Sequence, residues 1–290
     1  MTGLANGRLP AGSTDCHMHV FGPGDRYPLL ASRRYRPQEA SLADYAAMAG
    51  GVGLERIVFV QPSPYGTDNS CMLDALREVG PRGRGVAVID AATPEAELDR
   101  MHDAGVRGIR INAETYGLHD PEAIGAVLRV LAGRVRRLGW HVQLFAALET
   151  LAALAPVIAA LEVPVVIDHM GLARAGNGTG HVAFEALLRL VENGVWIKLS
   201  APYRISDAGP DFTDAGPIAA ALIAANAERV VWGSDWPHTG KHTGASDPDA
   251  VLPHRSIDDV LVLERLRDWA GTPAQLDRIL VHNPARLYGF

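Results

Sequence analysis

Short apolar segments alternate with longer amphipathic segments along most of this 290-residue chain. The apolar segments are rich in β-branched residues, which is typical of buried strands. Apolar residues recur at helical spacing in the amphipathic segments, most clearly over 121–138, which ends before Gly139 as a C-cap. The pattern predicts strands at 14–22, 56–60, 85–89, 108–112, 141–145, 165–168, 195–199 and 230–232. It predicts helices at 42–49, 69–79, 94–104, 121–138, 150–161, 182–191, 217–226 and 256–270, one from about 273, and a short last helix with Asn283 as its N-cap.

Eight apolar strands, each followed by a helix, predict an α/β fold with a closed parallel barrel, because helices outside and side chains inside then bury both faces of the sheet. An open doubly wound sheet uses the same elements. The barrel is favoured because polar residues follow many different strands, whereas an open sheet collects them at one switch point. We therefore predict a single (β/α)8 TIM-type barrel over 14–290, with long loops at the C-terminal face of the strands, after a flexible N-terminal arm over 1–13.

Composition and charge limit the possible partners. Hydrophobic residues make up 48% of the chain and charged residues 21%, as in an ordinary globular protein. The net charge of -6 argues against a general nucleic-acid binder. Two cysteines, Cys16 and Cys71, give no disulfide framework, and no segment resembles a signal peptide or a membrane span. We expect a cytoplasmic protein with no membrane or nucleic-acid partner, and a homo-oligomer stays possible.

The segment at 14–22 reads Thr-Asp-Cys-His-Met-His-Val-Phe-Gly and contains two histidines one residue apart. In a strand, Asp15, His17 and His19 would share one face and the apolar residues between them the other. Burying three polar groups on one face is unfavourable unless each has a partner. Taken alone, the pair is explained equally well by a structural role or by a catalytic one.

Polar residues at the ends of later strands extend this face. His169 follows the sixth strand and Asp235 the eighth, and a barrel brings such ends to one rim. With His17 and His19 they could hold a divalent metal such as Zn²⁺ that activates water. Alternatively, without a metal, Asp235 deprotonates the water and the histidines polarise a substrate carbonyl. Both alternatives predict hydrolysis.

Two arginines at strand ends indicate the substrate class. Arg110 and Arg204 lie on different predicted strands or the loops after them. A guanidinium binds a carboxylate through two parallel hydrogen bonds. The substrate is therefore expected to be an acid.

Several separated segments carry a family resemblance. They read Asp-Cys-His-Met-His-Val-Phe-Gly at 15–22, Arg-Tyr-Arg-Pro at 34–37, Gln-Pro-Ser-Pro-Tyr-Gly-Thr-Asp-Asn at 61–69, Gly-Ile-Arg-Ile-Asn at 108–112, Asp-His-Met-Gly at 168–171 and Gly-Ser-Asp-Trp-Pro-His at 233–238. In this order they resemble the amidohydrolase superfamily, and within it the branch that contains 2-pyrone-4,6-dicarboxylate lactonase and the sulfomuconolactone and sugar-acid lactonases. The resemblance covers nearly the whole chain.

The resemblance implies a barrel enzyme in which water attacks a lactone, with Asp235 as general base and the three histidines acting on the carbonyl. It implies substrate contacts from Tyr35, Ser63, Arg110 and Arg204. The pyrone lactonase works without a metal, so no cofactor is expected to be obligatory. Zinc bound by His17, His19, His169 and Asp235 is the alternative, because relatives in the branch use it. The expected partner is a small anionic lactone, from the catabolism of aromatic or sugar acids.

One segment departs from the pyrone lactonase. Where that enzyme has a second basic residue after the first, this chain reads Ala-Glu-Thr-Tyr-Gly at 113–117. Tyr116 can donate one hydrogen bond but carries no positive charge. A lactone with one carboxylate, or with a sulfonate or hydroxyl in place of the second, therefore fits better than the pyrone dicarboxylate.

Two other functions remain as alternatives. A zinc-dependent nonoxidative decarboxylase of the same superfamily would share the histidines and the late aspartate, although the Gln-Pro-Ser-x-Tyr-Gly segment favours the lactonases. A barrel that only binds its ligand is disfavoured by the complete catalytic set. The long segments 207–216 and 237–254 are predicted to close over the substrate, with His238 nearest to the chemistry.

Overall fold

Eight parallel strands in chain order form the centre of the molecule. The computed structural model describes residues 9–240, 247 and 249–290. Its strands are β1 Thr14–Met18, β2 Arg36–Pro37, β3 Arg56–Val60, β4 Gly83–Ala87, β5 Val106–Asn112, β6 His141–Phe145, β7 Val165–Ile167, β8 Trp196–Ser200, β9 Val230–Gly233 and β10 Val251–Leu252. Strands β1 and β3 to β9 pair in this order to form one parallel sheet. The predicted (β/α)8 barrel is confirmed.

The sheet closes where β9 meets β1. Just beyond the regular pairing, the Asp235 N–H donates to His17 O and the His19 N–H donates to Trp236 O, both at 2.8 Å. A Cβ atom on Gly233 would lie 2.5 Å from the His17 Cβ. Only glycine therefore lets β9 approach β1 this closely. This seam brings His17, His19 and Asp235 next to one another.

Helices surround the barrel and bury the outer face of the sheet. They are α1 Leu42–Val52, α2 Ser70–Val79, α3 Glu95–Asp103, α4 Ala113–Tyr116, α5 Pro121–Val135, α6 Leu148–Ala159, α7 Val182–Glu192, α8 Gly216–Ala225, α9 Asp259–Ala270, α10 Pro273–Asp277 and α11 Asn283–Tyr288. Local signals set several of their ends. Ser41 and Asp44 form a capping box at the start of α1, and Asp120 caps α5 ahead of Pro121. In the described residues no helix is long and apolar enough to cross a membrane.

Several element boundaries differ from the prediction, and β1, predicted to reach residue 22, ends at Met18. Helix α1 does not stop at Gly50 and Gly51 but continues to Val52, which is buried, and ends at Gly53 with a φ of 88°. Burial of Val52 outweighs the unfavourable glycines in the helix interior. Strand β4 begins two residues early, at Gly83, and ends two residues early, at Ala87, because the Val88 N–H bonds the Asn69 side chain at 3.0 Å and leaves the ladder. The last long helix begins three residues late, at Asp259.

The predicted role of Asn283 as an N-cap is wrong. This residue has helical backbone angles and follows a π-helical turn, Arg278–His282. Its amide donates to Ala227 O at 2.8 Å and to Val230 O at 2.7 Å. Asn283 therefore ties the C-terminal helix to the start of β9.

The lower half of the barrel interior is apolar. We call it the barrel floor, and it consists of Cys16, Val58, Val60, Val86, Val166, Trp196, Val231 and Tyr288. Tyr288, from α11, is fully buried among the inward-facing strand residues. Polar inward-facing residues lie further along the same strands, toward their C-terminal ends. The fold thus directs the chemistry to one rim.

Two long loops above this rim are joined. The short strands β2 and β10 pair in parallel, and Arg33 forms an ion pair with Asp249. These contacts connect the loop that carries Tyr35 to the loop that follows β9. Residues 241–246 and 248 of the predicted second lid lie outside the described residues, as do residues 1–8 of the predicted arm. Both the lids and the flexible arm stay predictions.

Candidate active site

An irregularity in β1 changes which side chains face inward. The register between β1 and β3 shifts between Asp15 and Met18. Cys16 packs in the barrel floor, and His17 bonds to interior residues, so these neighbours both face inward. The expectation that Asp15 shares a face with His17 and His19 is therefore wrong. A bulge of this kind re-aims side chains next to a functional site.

The Asp15 carboxylate instead stabilises the barrel seam from outside. Its Oδ1 accepts the N–H groups of His17 at 3.0 Å and Ser234 at 2.9 Å. Its Oδ2 accepts the hydroxyls of Ser234 at 2.5 Å and Tyr45 at 3.1 Å. Burial raises the pKa of Asp15 to about 6, although these hydrogen bonds oppose the rise. Asp15 thus fixes the backbone on both sides of the catalytic candidates.

Asp235 lies at the centre of the four predicted catalytic residues. Its Oδ1 is 3.4 Å from His17 Nε2, 3.4 Å from His19 Nε2 and 3.8 Å from His169 Nε2. All four residues are buried, and Asp235 has a φ of 63°, an unfavourable backbone conformation for a residue other than glycine. The structure therefore brings the whole predicted set together at the rim.

Three of the atoms that meet here have no hydrogen-bond partner in the described part of the chain. They are His17 Nε2, His169 Nε2 and Asp235 Oδ1. Buried polar atoms are nearly always hydrogen-bonded in native proteins. Their convergence indicates a position for an oxygen atom or a cation supplied by a ligand.

The outer ring nitrogens of two histidines are fixed by the barrel. His19 Nδ1 lies 2.7 Å from Val60 O, so Nδ1 carries the proton and Nε2 offers a lone pair toward Asp235. His169 Nδ1 lies 2.8 Å from Ser200 Oγ, a group that can donate or accept. The barrel thus fixes the tautomer of His19 but not that of His169.

Burial determines the charges in the site. It lowers the pKa of His17 well below its usual value and that of His169 to about 3, so both rings are neutral near neutral pH. Burial alone would raise the pKa of Asp235, but the positive charge of Arg204 holds it well below its usual value. The site therefore combines a carboxylate with neutral imidazoles.

The second carboxylate oxygen of Asp235 accepts three hydrogen bonds. Its Oδ2 accepts from Tyr203 OH at 2.6 Å and from Arg204 Nε and Nη2 at 3.2 and 3.0 Å. The Arg204 guanidinium also lies 5.6 Å from the Phe145 ring centre. Arg204 as a ligand of the substrate carboxylate stays a prediction. In this structure its charge is paired with Asp235.

A second polar layer lies below the histidines. Asp168 Oδ2 accepts from Arg110 Nε at 3.3 Å and Gln143 Nε2 at 3.0 Å. Lys198 Nζ donates to Gln143 Oε1 at 2.7 Å and lies 3.3 Å from His17 Nδ1. Burial raises the pKa of Asp168, but the positive charges that face it, among them Lys198 and Arg110, hold the pKa well below its usual value. This layer supports the candidate catalytic residues from beneath.

Three of the predicted substrate contacts form one group. The Ser63 hydroxyl hydrogen-bonds the side chain of Tyr35, and Tyr116 OH donates to Ser63 O at 3.1 Å. Burial raises the pKa of Tyr35, while the positive charges of Arg110 and Arg204 oppose the rise. Tyr35, Ser63 and Tyr116 therefore lie together, with Tyr35 near both arginines.

The segment at 61–69 is built to present Ser63. Gln61 Nε2 donates to Gly66 O at 3.2 Å and to Asp68 O at 2.7 Å. Asn69 Nδ2 donates to Val88 O at 2.9 Å. These bonds hold a short 3₁₀ turn, Ser63–Tyr65, at the end of β3. The segment that supported the family resemblance therefore contains mainly loop-fixing residues.

His238, the last of the predicted substrate contacts, lies between Tyr203 and Asp259. Its Nε2 is 3.1 Å from Asp259 Oδ1, and its ring packs edge-on to Tyr203 at 5.9 Å between centres. The ring is therefore turned toward the start of α9. His238 as a substrate ligand stays a prediction.

The site fits a divalent metal by donor type. His17, His19 and Asp235 each offer a ligand atom within 4.8 Å of the others, as do His17, Asp168 and His169. Imidazole and carboxylate donors suit zinc. His19 also donates its other ring N–H to a backbone carbonyl, as metal-bound histidines commonly do.

Four neighbours of the site did not enter the sequence prediction of site residues. They are Gln143, Asp168, Lys198 and Tyr203. A signal existed for two of them, because Gln143 and Lys198 lie in the middle of apolar strands that are buried on both faces. Asp168 and Tyr203 lie at strand ends, where sequence alone does not distinguish a site residue from a loop cap.

A profile of the amidohydrolase family matches residues 14–290. The chain belongs to the amidohydrolase family. A 2-pyrone-4,6-dicarboxylate hydrolase from Comamonas testosteroni is 36% identical to this amidohydrolase, over 97% of this chain and 91% of the relative. A 4-sulfomuconolactone hydrolase from Rhizobium radiobacter is 35% identical, with the same shares covered. The predicted resemblance to the lactonase branch is confirmed.

A solved structure agrees with the fold. It is an Acinetobacter baumannii protein described as a probable 2-pyrone-4,6-dicarboxylic acid hydrolase with citric acid bound. It is 27% identical to this amidohydrolase, and the two structures superpose with a TM-score of 0.81. The match covers 96% of this chain and 100% of the relative. The relative thus shares the barrel over its full length.

Proposed function

We propose that this amidohydrolase is an enzyme that opens a carboxylated lactone by attack of water. One observation carries the proposal. The buried Oδ1 of Asp235 has no hydrogen-bond partner among the described residues and faces three imidazole nitrogens at 3.4, 3.4 and 3.8 Å. The named activities of two relatives with 36% and 35% identity support a ring ester as the substrate.

Asp235 acts as the general base. Tyr203 and Arg204 hold its Oδ2, which leaves Oδ1 to accept a proton. Oδ1 takes one proton from a water molecule while the water oxygen bonds to the carbonyl carbon of the lactone. A carboxylate with a low pKa is a weak base, so its alignment with the water supplies most of its effect.

Two of the histidines, His17 and His169, act on the carbonyl oxygen. Their Nε2 atoms surround one position, and a neutral imidazole can donate an N–H to the oxyanion that forms there. Collapse of the tetrahedral intermediate breaks the ring C–O bond. The proton on Asp235 then passes to the leaving ring oxygen, which restores the carboxylate and leaves an open-chain acid.

Arg110 binds the carboxylate of the substrate. Its Nε donates to Asp168, and the guanidinium carries two further nitrogens at its terminus. These nitrogens have the geometry for a bidentate contact. Tyr116, next to Ser63, adds a neutral donor where the pyrone lactonase has a second positive charge. One carboxylate, accompanied by a hydroxyl or a weaker anion, matches this pocket.

Zinc remains the alternative to direct action by Asp235. His17, His19, His169 and Asp235 would hold it, and it would supply Lewis-acid activation at this position. Substrate binding by Arg110 and the alignment of Asp235 by Tyr203 belong to the chain in either case.

The test compares two six-membered lactones that differ only in a ring carboxylate. Ring opening is followed by NMR with protein prepared with and without a strong chelator, and metal content is measured in both preparations. We expect kcat/KM to be about 100-fold higher for the carboxylated lactone, because a charge-assisted pair contributes about 2–3 kcal/mol.

The outcomes separate the alternatives. Activity in metal-free protein supports Asp235 acting directly, and activity that returns only with zinc supports the metal. Release of carbon dioxide from a carboxylated substrate would identify a decarboxylase instead. Failure to open any lactone of a broad panel would overturn the proposal.

A further inference from the structure

Lys198 is an unusual residue in this chain. Only two of its 27 basic residues are lysines, and the other is Lys241. Lys198 lies in the middle of β8 and is completely buried, between the barrel floor and the histidines. A buried ammonium group is costly unless its donors are satisfied. The groups that accept hydrogen bonds from Lys198 therefore need to be identified, because one of them is a candidate catalytic histidine.

The three donors of an ammonium group can be assigned. Lys198 Nζ lies 2.9 Å from Cys16 O, 2.7 Å from Gln143 Oε1 and 3.3 Å from His17 Nδ1. The first two atoms are carbonyl oxygens, which only accept. An ammonium nitrogen has three N–H donors and no lone pair. Two acceptors remain for the third donor, Asp168 Oδ1 at 3.6 Å and His17 Nδ1 at 3.3 Å, and only the second is within hydrogen-bonding distance.

The orientation of Gln143 is fixed independently. Its Nε2 donates to Asp168 Oδ2 at 3.0 Å, so its oxygen must face Lys198. Asp168 also lies near His17, with Oδ1 3.2 Å from Nδ1, but Oδ1 has no hydrogen-bond partner among the described residues. Lys198 is thus the partner in hydrogen-bonding geometry for this ring nitrogen.

We propose that Lys198 is a positioning residue that holds neutral His17 as the tautomer with its proton on Nε2. His17 then donates this N–H to the carbonyl oxygen of the lactone, a role that rests on the proposed function. The neighbouring His19 has the opposite tautomer, since its Nδ1 donates to Val60 O. The His-x-His pair therefore presents one donor and one acceptor to the reacting groups.

The same arrangement affects metal binding. A nitrogen that carries a proton has no lone pair for a cation, so His17 can bind a metal only if its ring changes tautomer. Lys198 opposes that change. The His17, His19 and Asp235 set therefore fits zinc by residue type, while Lys198 lowers its affinity.

Histidine tautomers can be measured directly in the wild-type protein without substrate or metal. In a ¹⁵N-histidine-labelled sample, protonated and unprotonated ring nitrogens differ widely in chemical shift, and His17→Gln identifies the signals of His17. We expect a protonated Nε2 and an unprotonated Nδ1. A protonated Nδ1 on neutral His17 would overturn the proposal, whatever the enzyme hydrolyses.

The variant Lys198→Met removes the donors but keeps a chain of similar length. We expect His17 to change tautomer and donate Nδ1–H to Asp168, and kcat for the lactone to fall about 100-fold with KM nearly unchanged, as for loss of an oxyanion donor. We expect the affinity for Co²⁺, followed by its visible spectrum, to rise at least tenfold. Unchanged Co²⁺ affinity together with an unchanged tautomer would contradict the role of Lys198.

Val166→Ala provides the matched control. Val166 lies in the barrel floor, and its apolar side chain makes none of the hydrogen bonds of Lys198, so its truncation perturbs packing only. The control should lower stability but leave the His17 tautomer and the Co²⁺ affinity as in the wild type. If Lys198→Met does not fold, the wild-type spectrum still decides the proposal. If lactones fail as substrates but the tautomer is as expected, only the proposed function is affected.

Discussion

The barrel floor and the rim use the same strands but opposite chemistry. On β8, Trp196 lies in the floor, and Lys198 and Ser200 point inward above it. On β7, Val166 lies in the floor, whereas Asp168 points inward just beyond the end of the strand. A parallel barrel stacks inward-facing residues in layers, so a step of two residues moves a side chain from an apolar layer to a charged one. Inward-facing residues low on a strand therefore stabilise the barrel, and those near its C-terminal end form the candidate active site.

The same difference between the lower barrel and the rim is seen in two buried histidines. Burial lowers the pKa of both His141, low in the barrel, and His169, at the rim, to about 3. His141 has no hydrogen-bond partner for either ring nitrogen in the described chain and packs edge-on to Tyr288. His169 bonds Ser200 and aims its Nε2 at Asp235. A low pKa therefore reports burial, and only the facing groups indicate function.

The rim should respond most strongly to loss of the base. Asp235→Asn keeps the size of the side chain and removes its ability to accept a proton. We expect kcat to fall about 1,000-fold, within the range for loss of a general base. The circular dichroism spectrum should stay close to that of the wild type, whereas the unfolding midpoint should fall, because Arg204 loses its charged partner. Retention of most of the activity would exclude Asp235 as the base.

Arg110→Gln tests the substrate side of the rim. We expect kcat/KM for a carboxylated lactone to fall about 100-fold, because a bidentate charged contact is lost. The matched uncarboxylated lactone should be affected much less. An equal loss for both lactones would mean that Arg110 acts through its bond to Asp168 rather than on the substrate.

A smaller effect is expected from Tyr203→Phe. The variant removes one hydrogen bond to Asp235 Oδ2 and leaves Arg204 in place. We expect kcat to fall about tenfold with little change in KM, since a hydrogen bond to a charged group contributes about 1.5 kcal/mol. A change confined to KM would place Tyr203 in substrate binding instead.

The lower barrel should affect stability and not catalysis. The unfolded chain protonates His141 below pH 6.5, but the folded chain does so only near its depressed pKa of about 3. Its contribution to stability is therefore complete above pH 6.5 and decreases as the pH falls through this window. The free energy of unfolding of the wild type should decrease between pH 6 and pH 5. We expect this decrease to be about 1 kcal/mol smaller in His141→Leu, measured by urea unfolding.

Activity of His141→Leu at pH 7.5 should stay within about twofold of the wild type, because the ring packs against Tyr288 of the barrel floor and forms no hydrogen bond to the candidate catalytic residues among the described residues. Val231→Ala, which lies in the barrel floor and does not titrate, is the control for destabilisation. It should lower stability by a similar amount at both pH values. If His141→Leu had the same pH dependence as the wild type, His141 would not be buried as a neutral ring.

The periodic pattern predicted the barrel because strand and helix spacing repeats eight times and each repeat needs its neighbours to bury both faces. It predicted the cluster of His17, His19, His169 and Asp235 because strand ends of a barrel must meet. It failed at Asp15, since a bulge depends on how β1 pairs with β3. It also failed at Asn283, whose amide bonds carbonyls far away in the sequence.

The family, the barrel and the four residues at its centre are predictable from the amino-acid sequence, because they follow from local periodicity and from motifs within single segments. Tertiary structure decided which atoms of those residues are available. The opposite roles inferred for His17 and His19 depend on Lys198 from β8 and Val60 from β3, which approach the two rings from different strands. Proton positions depend on such distant partners, and one-dimensional spacing does not record them.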